Sequence, residues 1–353
     1  NAEQERELIN MTNYAPFDTR PNFEATESDI SVALLTDHLN TTKSKLAKQI
    51  GKRGVMEVLG DMQLLVGPPE QLCISNAALM MFCEHLDKFF PYTQVEITKF
   101  PEGSIKNPNN FIEVPVIKGS VPTMIKRTME KLQDMVIEEK VTKVDYQMEA
   151  IRRYSYPYQA LEEAVVNAFY HRDYQSYQAI IIEIEPDCVR IISYPGIDRS
   201  ISQKTIAEGE RFKSRYYRNK RLGEFLKELD LTEGKSTGIP TIQEELRDNG
   251  SPKATFETDD ERRAVTVEIP IHPDFLMEQG EPQNEPQNEP QNATSVEDAI
   301  LQLIRMNKYV TREEMASQIE VSLSTVKRSI NKLKTSGIIE YEGPSKGGYW
   351  SIK

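Results

Sequence analysis

The chain has 353 residues, 38% of them apolar and 28% charged, with a formal net charge of −12. Such a length exceeds one ordinary core and calls for two or three domains, the apolar share excludes wholesale disorder, and the acidity excludes a molecule coated in basic surface. A local basic face is still allowed, because from Ser295 onward nine Lys and Arg stand against seven Asp and Glu, so the acidic excess lies upstream. Three cysteines without a Cys-x-x-Cys pair fit a reducing compartment, and no apolar run reaches the roughly 18 residues of a membrane span. A cytoplasmic protein with no membrane partner is expected. The first residue is Asn1, not methionine, so a fragment lacking an upstream part is the expectation.

Residues 1–145 read as a mixed α/β region. Thr93 to Phe100 and Phe111 to Lys118 have strand character, and from Val121 to Glu139 the positions Ile125, Met129, Leu132 and Val136 form one apolar stripe at helical spacing. That stripe is core material. In residues 146–278 a helix after Pro157 is followed by a strand hairpin (Ala179 to Ile184, Val189 to Ser193), further helices, and late strands at Ala254 to Glu257 and Ala264 to Ile271. Helices covering one face of a largely antiparallel or mixed sheet give an α+β sandwich.

On the helix after Pro157, Leu161, Ala164, Val165 and Ala168 make the buried stripe, which leaves Glu163 and Asn167, four apart, side by side on another face. A carboxylate and an amide so placed can hold a hydrated magnesium ion through the amide oxygen while the carboxylate polarises water for attack on a γ-phosphate. The same spacing also fits an ordinary solvated helix face, so spacing alone does not choose. His171 and Asp173 are expected to lock the helix end and the adjoining turn, and Tyr154, Tyr156, Tyr158, Tyr170, Tyr174 and Tyr177 to serve the core and its rim, with base stacking as the alternative. Two other likenesses fail on their own residues. Gly234-Lys235-Ser236 lacks the first glycine of a Walker A loop, where Leu229 stands, and His171-Arg172-Asp173 has Gln178 in place of the asparagine of a kinase catalytic loop.

Residues 279–294 form a boundary. Glu-Pro-Gln-Asn occurs three times from Glu281 to Asn292 with no apolar side chain, a composition that builds no core and reads as a polar tether.

Residues 295–353 carry the punctuation of a winged helix-turn-helix. Val296, Ile300, Leu303 and Ile304 share a helix face, Thr311 and Glu314 make a capping box, and the second helix buries Ala316 and Ile319. A turn at Val321 leads to a third helix with Val326, Ile330 and Leu333 inward. Its outward Ser324, Thr325, Lys327, Arg328, Asn331 and Lys332 offer hydroxyl, amide and cationic groups suited to the base edges and phosphates of double-stranded DNA. Strands at Ile338 to Tyr341 and Tyr349 to Ile352 flank a wing tip whose Lys346 can reach a neighbouring phosphate.

This segment resembles the winged-helix domains of bacterial transcriptional regulators along its whole length. Upstream, Tyr156-Pro157, the run Leu161 to Ala168 and His171-Arg172-Asp173-Tyr174 resemble the RecG-like C-terminal ATPase domain of the GHKL (Bergerat) superfamily. Ser193-Tyr194-Pro195-Gly196 stands at that family's Asn-Pro-Gly turn, Arg218-Asn219 at its Arg-Asn pair, and Glu233 to Pro240 at its glycine-rich segment. In such proteins a Schlafen AlbA-type DNA-binding domain usually lies upstream; it is absent from these residues, in keeping with truncation at Asn1.

The resemblance implies a GHKL-like α/β sandwich binding ATP with magnesium. Glu163 would be the catalytic base and Asn167 the magnesium ligand, with Gly196, Gly234 and Gly238 lining the nucleotide site. Departures imply a degenerate site: Tyr194 stands where active members carry the adenine-reading aspartate and is expected to fill the adenine pocket, and Asp198 replaces a glycine. Together these readings give a homodimeric, DNA-binding transcriptional regulator that senses a ligand, with an ATP-hydrolysing enzyme as the alternative. A processive helicase is not expected, because no pair of motor domains with a Walker A loop is present.

Overall fold

The computed structural model of the protein describes residues 15–143, 150–199, 201–207, 217–232, 238–276, 296–319, 321, 323–335, 338–342 and 348–352. The chain divides into two compact units, Asn1–Pro282 and Gln283–Lys353. Among the described residues no helix is long and apolar enough to cross a membrane.

In the first unit, α1 (Val32–Thr41), α2 (Val55–Asp61) and α3 (Asn76–Phe82) form a helical cluster around the short ribbon β1 (Leu65–Val66) and β2 (Cys73–Ile74). Ser31 and Ser75 cap α1 and α3 by accepting the backbone N–H of Leu34 and Ala78. Every residue of α3 is buried, so this helix is the centre of the cluster.

Then come β3 (Val95–Lys99), β4 (Ile112–Glu113), α4 (Val121–Val136), β5 (Glu139–Thr142), β6 (Ile151–Tyr154) and α5 (Tyr158–Tyr170). After them follow β7 (Ile180–Ile184), β8 (Cys188–Ser193), α6 (Gln203–Ala207), α7 (Lys220–Glu228), α8 (Gly238–Asn249), β9 (Thr255–Thr258), β10 (Val265–Pro270) and α9 (Pro273–Leu276). A six-stranded sheet in the order β4-β3-β7-β8-β10-β9 is antiparallel except for the parallel β3–β7 pair, which the α4 and α5 crossover makes possible. The architecture is α+β, as its element order predicts.

Strand alternation sorts the two sheet faces. Ile97, Ile182, Ile191, Val267 and Phe256 face one another across five strands and, with α5 packed over them, form the floor of the core. One residue along, Thr98, Glu183, Arg190, Glu268 and Thr255 make the opposite row, where the Arg190 guanidinium reaches Glu183 at 2.9 Å and Glu268 at 3.2 Å. Apolar residues therefore face the helices and ion pairs face away.

Three elements depart from the sequence reading. The strand expected over 111–118 is regular only at Ile112–Glu113; Pro115, which has no N–H, interrupts the ladder before Ile117 rejoins β3 by paired backbone bonds to Val95. The helix from Val121 stops at Val136, and Glu139–Thr142 instead forms a ribbon with Ile151–Tyr154. Asp173 holds the turn after α5 as expected, its Oδ1 accepting the Gln175 N–H at 2.9 Å, while the helix end itself is locked by Arg172 and Asn219 rather than by the His171 side chain. Arg172 is 1% exposed and donates to the carbonyls of Tyr92 and Gln178, while Asn219 Nδ2 donates to the carbonyls of Tyr170 at 2.9 Å and Arg172 at 2.8 Å.

With its amide committed to α5, Asn219 does not cap its own helix α7. The buried Asp18 does so from across the fold, its Oδ2 accepting the Leu222 N–H at 2.9 Å. Burial raises the Asp18 carboxyl above its ordinary range, against the lowering effect of the Leu222 and Arg221 backbone N–H groups. A folded-state value above the unfolded one makes the carboxyl favour folding at low pH, and that contribution is lost as pH rises through the raised value. Asp18→Asn keeps an acceptor for Leu222. Its melting temperature is expected to match the parent at acidic pH and to gain on it as pH climbs, whereas Asp18→Leu is expected to lose about 1–3 kcal/mol at acidic pH by orphaning the Leu222 N–H, a deficit that narrows as pH climbs.

The second unit consists of α10 (Val296–Met306), α11 (Arg312–Ile319), α12 (Leu323–Thr335) and the ribbon β11 (Ile339–Glu342) and β12 (Tyr349–Ile352). Ile300, Ile304, Met315, Val326, Ile330, Leu333, Ile339 and Trp350 form its buried core. Met315 is the most buried residue of α11, with Ala316 and Ile319 packing only partly. The expected capping box is formed: Thr311 N–H donates to Glu314 Oε2 at 2.8 Å and Glu314 N–H to Thr311 Oγ1 at 3.2 Å. Trp350 ties the loop before α11 to the wing, its backbone N–H donating to the Lys308 carbonyl and its Nε1 to that of Val310.

Candidate functional site

Helix α5 follows Pro157, whose fixed φ suits a helix entry, and presents two faces. Ala160, Leu161, Val165 and Phe169 are buried in the core. Glu163 and Asn167 lie on the flank turned to α8 and are half-buried, and Asn167 Nδ2 donates to Glu163 Oε1 at 3.0 Å. That bond fixes the rotamer of both side chains. It also fixes which end of the amide does what, leaving Asn167 Oδ1 as the acceptor.

The first residue of α8 is pressed onto this pair. A Cβ on Gly238 would lie 2.5 Å from both Asn167 Nδ2 and Glu163 Oε1, so only glycine lets the backbone come this close. Gly238 and the pair thus form one corner of a cavity of about 180 Å³ between α5, α8 and the sheet. Its floor is Ile191, Val265, Val267 and Phe256, which continue the apolar rows of the sheet. Polar groups are few: Glu163, Asn167, Ser193, Asp198, Thr232, Arg218 and His171. An apolar chamber with a few convergent polar side chains is the usual form of a small-molecule site.

The far end of the cavity lies about one helical turn beyond Asn167, where Tyr170, His171 and Tyr217 come together with near-parallel rings. Burial pushes the Tyr170 hydroxyl well above its ordinary range, so it stays protonated. Gly223 of α7 backs this ring so closely that a Cβ there would overlap the phenol.

The sequence-derived residues fall into three groups. Glu163, Asn167, Gly196 and Gly238 line one cavity. Gly196 has a second reason for being glycine, since a Cβ would overlap Thr258 Oγ1 and approach the Ala264 carbonyl oxygen to 2.7 Å; the β9–β10 connection demands it irrespective of any ligand. Gly234 lies outside the described residues. Tyr194 does not line the cavity, contrary to expectation: Ser193, Pro195, Gly196, Ile197 and Asp198 do, and the Tyr194 carbonyl is engaged by the Asp173 N–H. The cis Tyr194–Pro195 peptide belongs to the same turn. Arg218, His171 and Tyr217 are cavity residues that reasoning from the sequence missed as ligand contacts; their common signal is position, one turn past Asn167 and just ahead of α7.

Among the described residues no group of three or more His, Cys, Asp and Glu could hold a metal ion. A magnesium ion here would rest on Asn167 Oδ1 and on oxygens brought by its ligand, which is how magnesium is commonly held beside phosphates. The residues fit that arrangement.

In the second unit, α12 buries Val326, Ile330 and Leu333 and exposes Lys327, Arg328 and Lys332, with Thr325 half-buried. The side chains of Ser324 and Asn331, and the whole of Lys346, lie outside the described residues. Three cations on the open side of one amphipathic helix make a face that attracts phosphate.

Two segments of the chain match family models of known proteins. Residues 178–268 match the family model described as "Putative ATP-dependent DNA helicase recG C-terminal", and residues 296–349 match that described as "HTH domain". The first match includes Gly196, Arg218 and Gly238 and begins after Glu163 and Asn167. No curated protein matches the chain at a significant level. The crystal structure of the DIP2311 protein from Corynebacterium diphtheriae is similar over 98% of this chain, with a TM-score of 0.56 and 16% identity, a likeness of fold. This chain spans 66% of that protein's length. A segment similar to the recG C-terminal family followed by one similar to the helix-turn-helix family is thus the order along the chain.

Proposed function

We propose that the protein is a transcriptional regulator which binds double-stranded DNA through α12 and senses an ATP-type nucleotide, with magnesium, in the cavity beside α5. One observation carries the reading: a single chain joins a chamber cornered by Glu163, Asn167 and Gly238 to a separate unit that exposes Lys327, Arg328 and Lys332 on one helix. The cations engage phosphates, Thr325 with Ser324 and Asn331 reads base edges, and Lys346 reaches the flank. Gly234 and Gly238 let backbone approach the nucleotide phosphates. Magnesium, when bound on Asn167, supplies positive charge to the phosphate oxygens. Two copies side by side would address two half-sites about one helical turn apart, so a homodimer is the expected working form in the cytoplasm.

A second reading, ATP hydrolysis, is favoured by the Glu163 carboxylate lying against Asn167, in position to take a proton from water. Titration calorimetry of ATP and magnesium, a melting curve, and duplex binding with and without nucleotide test both. Binding heat and a melting shift are expected from the parent chain, with at least tenfold weaker binding in Asn167→Ala. Nucleotide is expected to change duplex affinity. Glu163→Ala retains binding, and loses phosphate release only if the chain hydrolyses ATP. Absence of heat and of any melting shift in the parent chain would remove nucleotide sensing.

A further inference from the structure

The cavity has two chemically different ends. Glu163, Asn167 and Gly238 form the polar end; Tyr170, His171 and Tyr217 form an aromatic one. His171 follows Asn167 by four residues, which on a helix is about 6 Å of rise along the same flank. A nucleotide laid along α5 with its phosphates at Asn167 therefore brings its base to the aromatic end.

The three rings have a definite layering. Tyr170 lies 4.8 Å from His171 at 30° and 5.3 Å from Tyr217 at 6°, centroid to centroid, both offset stacks. His171 and Tyr217 are themselves 5.9 Å apart at 25°. Were they on opposite faces of Tyr170, two contact spacings of roughly 3.5 Å each would put them about 7 Å apart or more. They lie on the same face. Tyr170, 5% exposed and wedged against Gly223, is thus a buried backing for an outer layer two rings wide. That outer layer is accessible, His171 being exposed and Tyr217 half-buried.

We infer that the His171–Tyr217 layer is a stacking platform for the base of the bound nucleotide, selecting a bicyclic purine over a single pyrimidine ring. This rests on the nucleotide reading of the same cavity. Discrimination comes from overlap: a purine covers both rings, a pyrimidine one. No carboxylate in the place of Tyr194 is needed, because stacking supplies the base contact that a hydrogen-bonding aspartate would otherwise make. Arg218, beside the platform on the cavity wall, adds a cation near the sugar and phosphate.

Calorimetry on the whole chain with ATP, GTP, CTP, UTP, adenosine and inorganic tripolyphosphate separates the contributions, using Tyr217→Leu, Tyr217→Phe and the parent, each checked for an unchanged melting curve. Purine nucleotides are expected to bind at least fivefold more tightly than pyrimidine ones. Tyr217→Leu is expected to weaken ATP by about 5- to 100-fold and to bring ATP and UTP together, while leaving tripolyphosphate unchanged; Tyr217→Phe keeps the parent behaviour. Equal binding of all four nucleotides and tripolyphosphate, unaffected by Tyr217→Leu, overturns the platform and leaves phosphate binding standing. Binding of adenosine without any contribution from phosphate supports the platform and overturns the nucleotide reading. No binding of any probe overturns both. If Tyr217→Leu fails to fold, the purine preference of the parent still decides.

Discussion

Alanine at both Lys327 and Arg328 is expected to weaken duplex binding by roughly tenfold to a thousandfold at physiological salt, and to lower the slope of log affinity against log salt by about 2. Each cation that neutralises a phosphate releases a counterion, so the change in slope counts the phosphates no longer neutralised and the change in affinity weighs them. Both side chains are exposed on α12, whose hold on the second unit comes from Val326, Ile330 and Leu333 on its other side. Alanine is also at least as good a helix former as lysine or arginine, so the domain is expected to remain folded. Fluorescence anisotropy across a salt series on the double variant measures both quantities. Unchanged affinity together with an unchanged slope would reject α12 as the recognition helix.

Gly238→Ala should cost the cavity its ligand while sparing the fold. Intrinsic propensity alone favours alanine over glycine in a helix by about 1 kcal/mol. The new methyl, however, would sit 2.5 Å from the Glu163 carboxylate and the Asn167 amide, inside any real contact distance, so α8 or the pair must shift. Even a shift of an ångström separates the groups that would hold phosphate and magnesium. Binding of ATP with magnesium is expected to fall at least thirtyfold with a change in melting temperature of only a few degrees. A Gly238→Ala chain that binds as the parent does would show that this corner is not the phosphate end.

Legibility from the sequence followed how local the determining interactions are. Hairpin β7–β8 and strand β10 were readable because alternation is a property of neighbours in sequence, and the capping box at Thr311 and Glu314 because it spans three residues. Glu163 and Asn167 were readable as a pair on one helix, and their bond is a local one. Gly238 could be singled out only through a family resemblance, since its reason for being glycine lies on another helix. Asp18 carries no local signal at all: it caps a helix more than two hundred residues away. His171 was expected to help hold the end of α5, and the structure gives that part to Arg172 and Asn219 for a related reason. Sequence does not say which of two adjacent polar residues at a helix end turns inward, and the long guanidinium was the one that could reach two distant carbonyls.

The two hydrogen bonds from Asn219 to the carbonyls of Tyr170, the last residue of α5, and Arg172 just beyond it bear on ligand affinity in one more way. Tyr217 and Arg218 immediately precede Asn219, so the backbone that carries them is riveted to the same helix that carries Asn167 and His171. The distance between the aromatic and polar ends is therefore preorganised by the protein's own bonding. An incoming molecule of matching length has no chain ordering to bring about there, and one of the wrong length finds a wall that does not adjust to it.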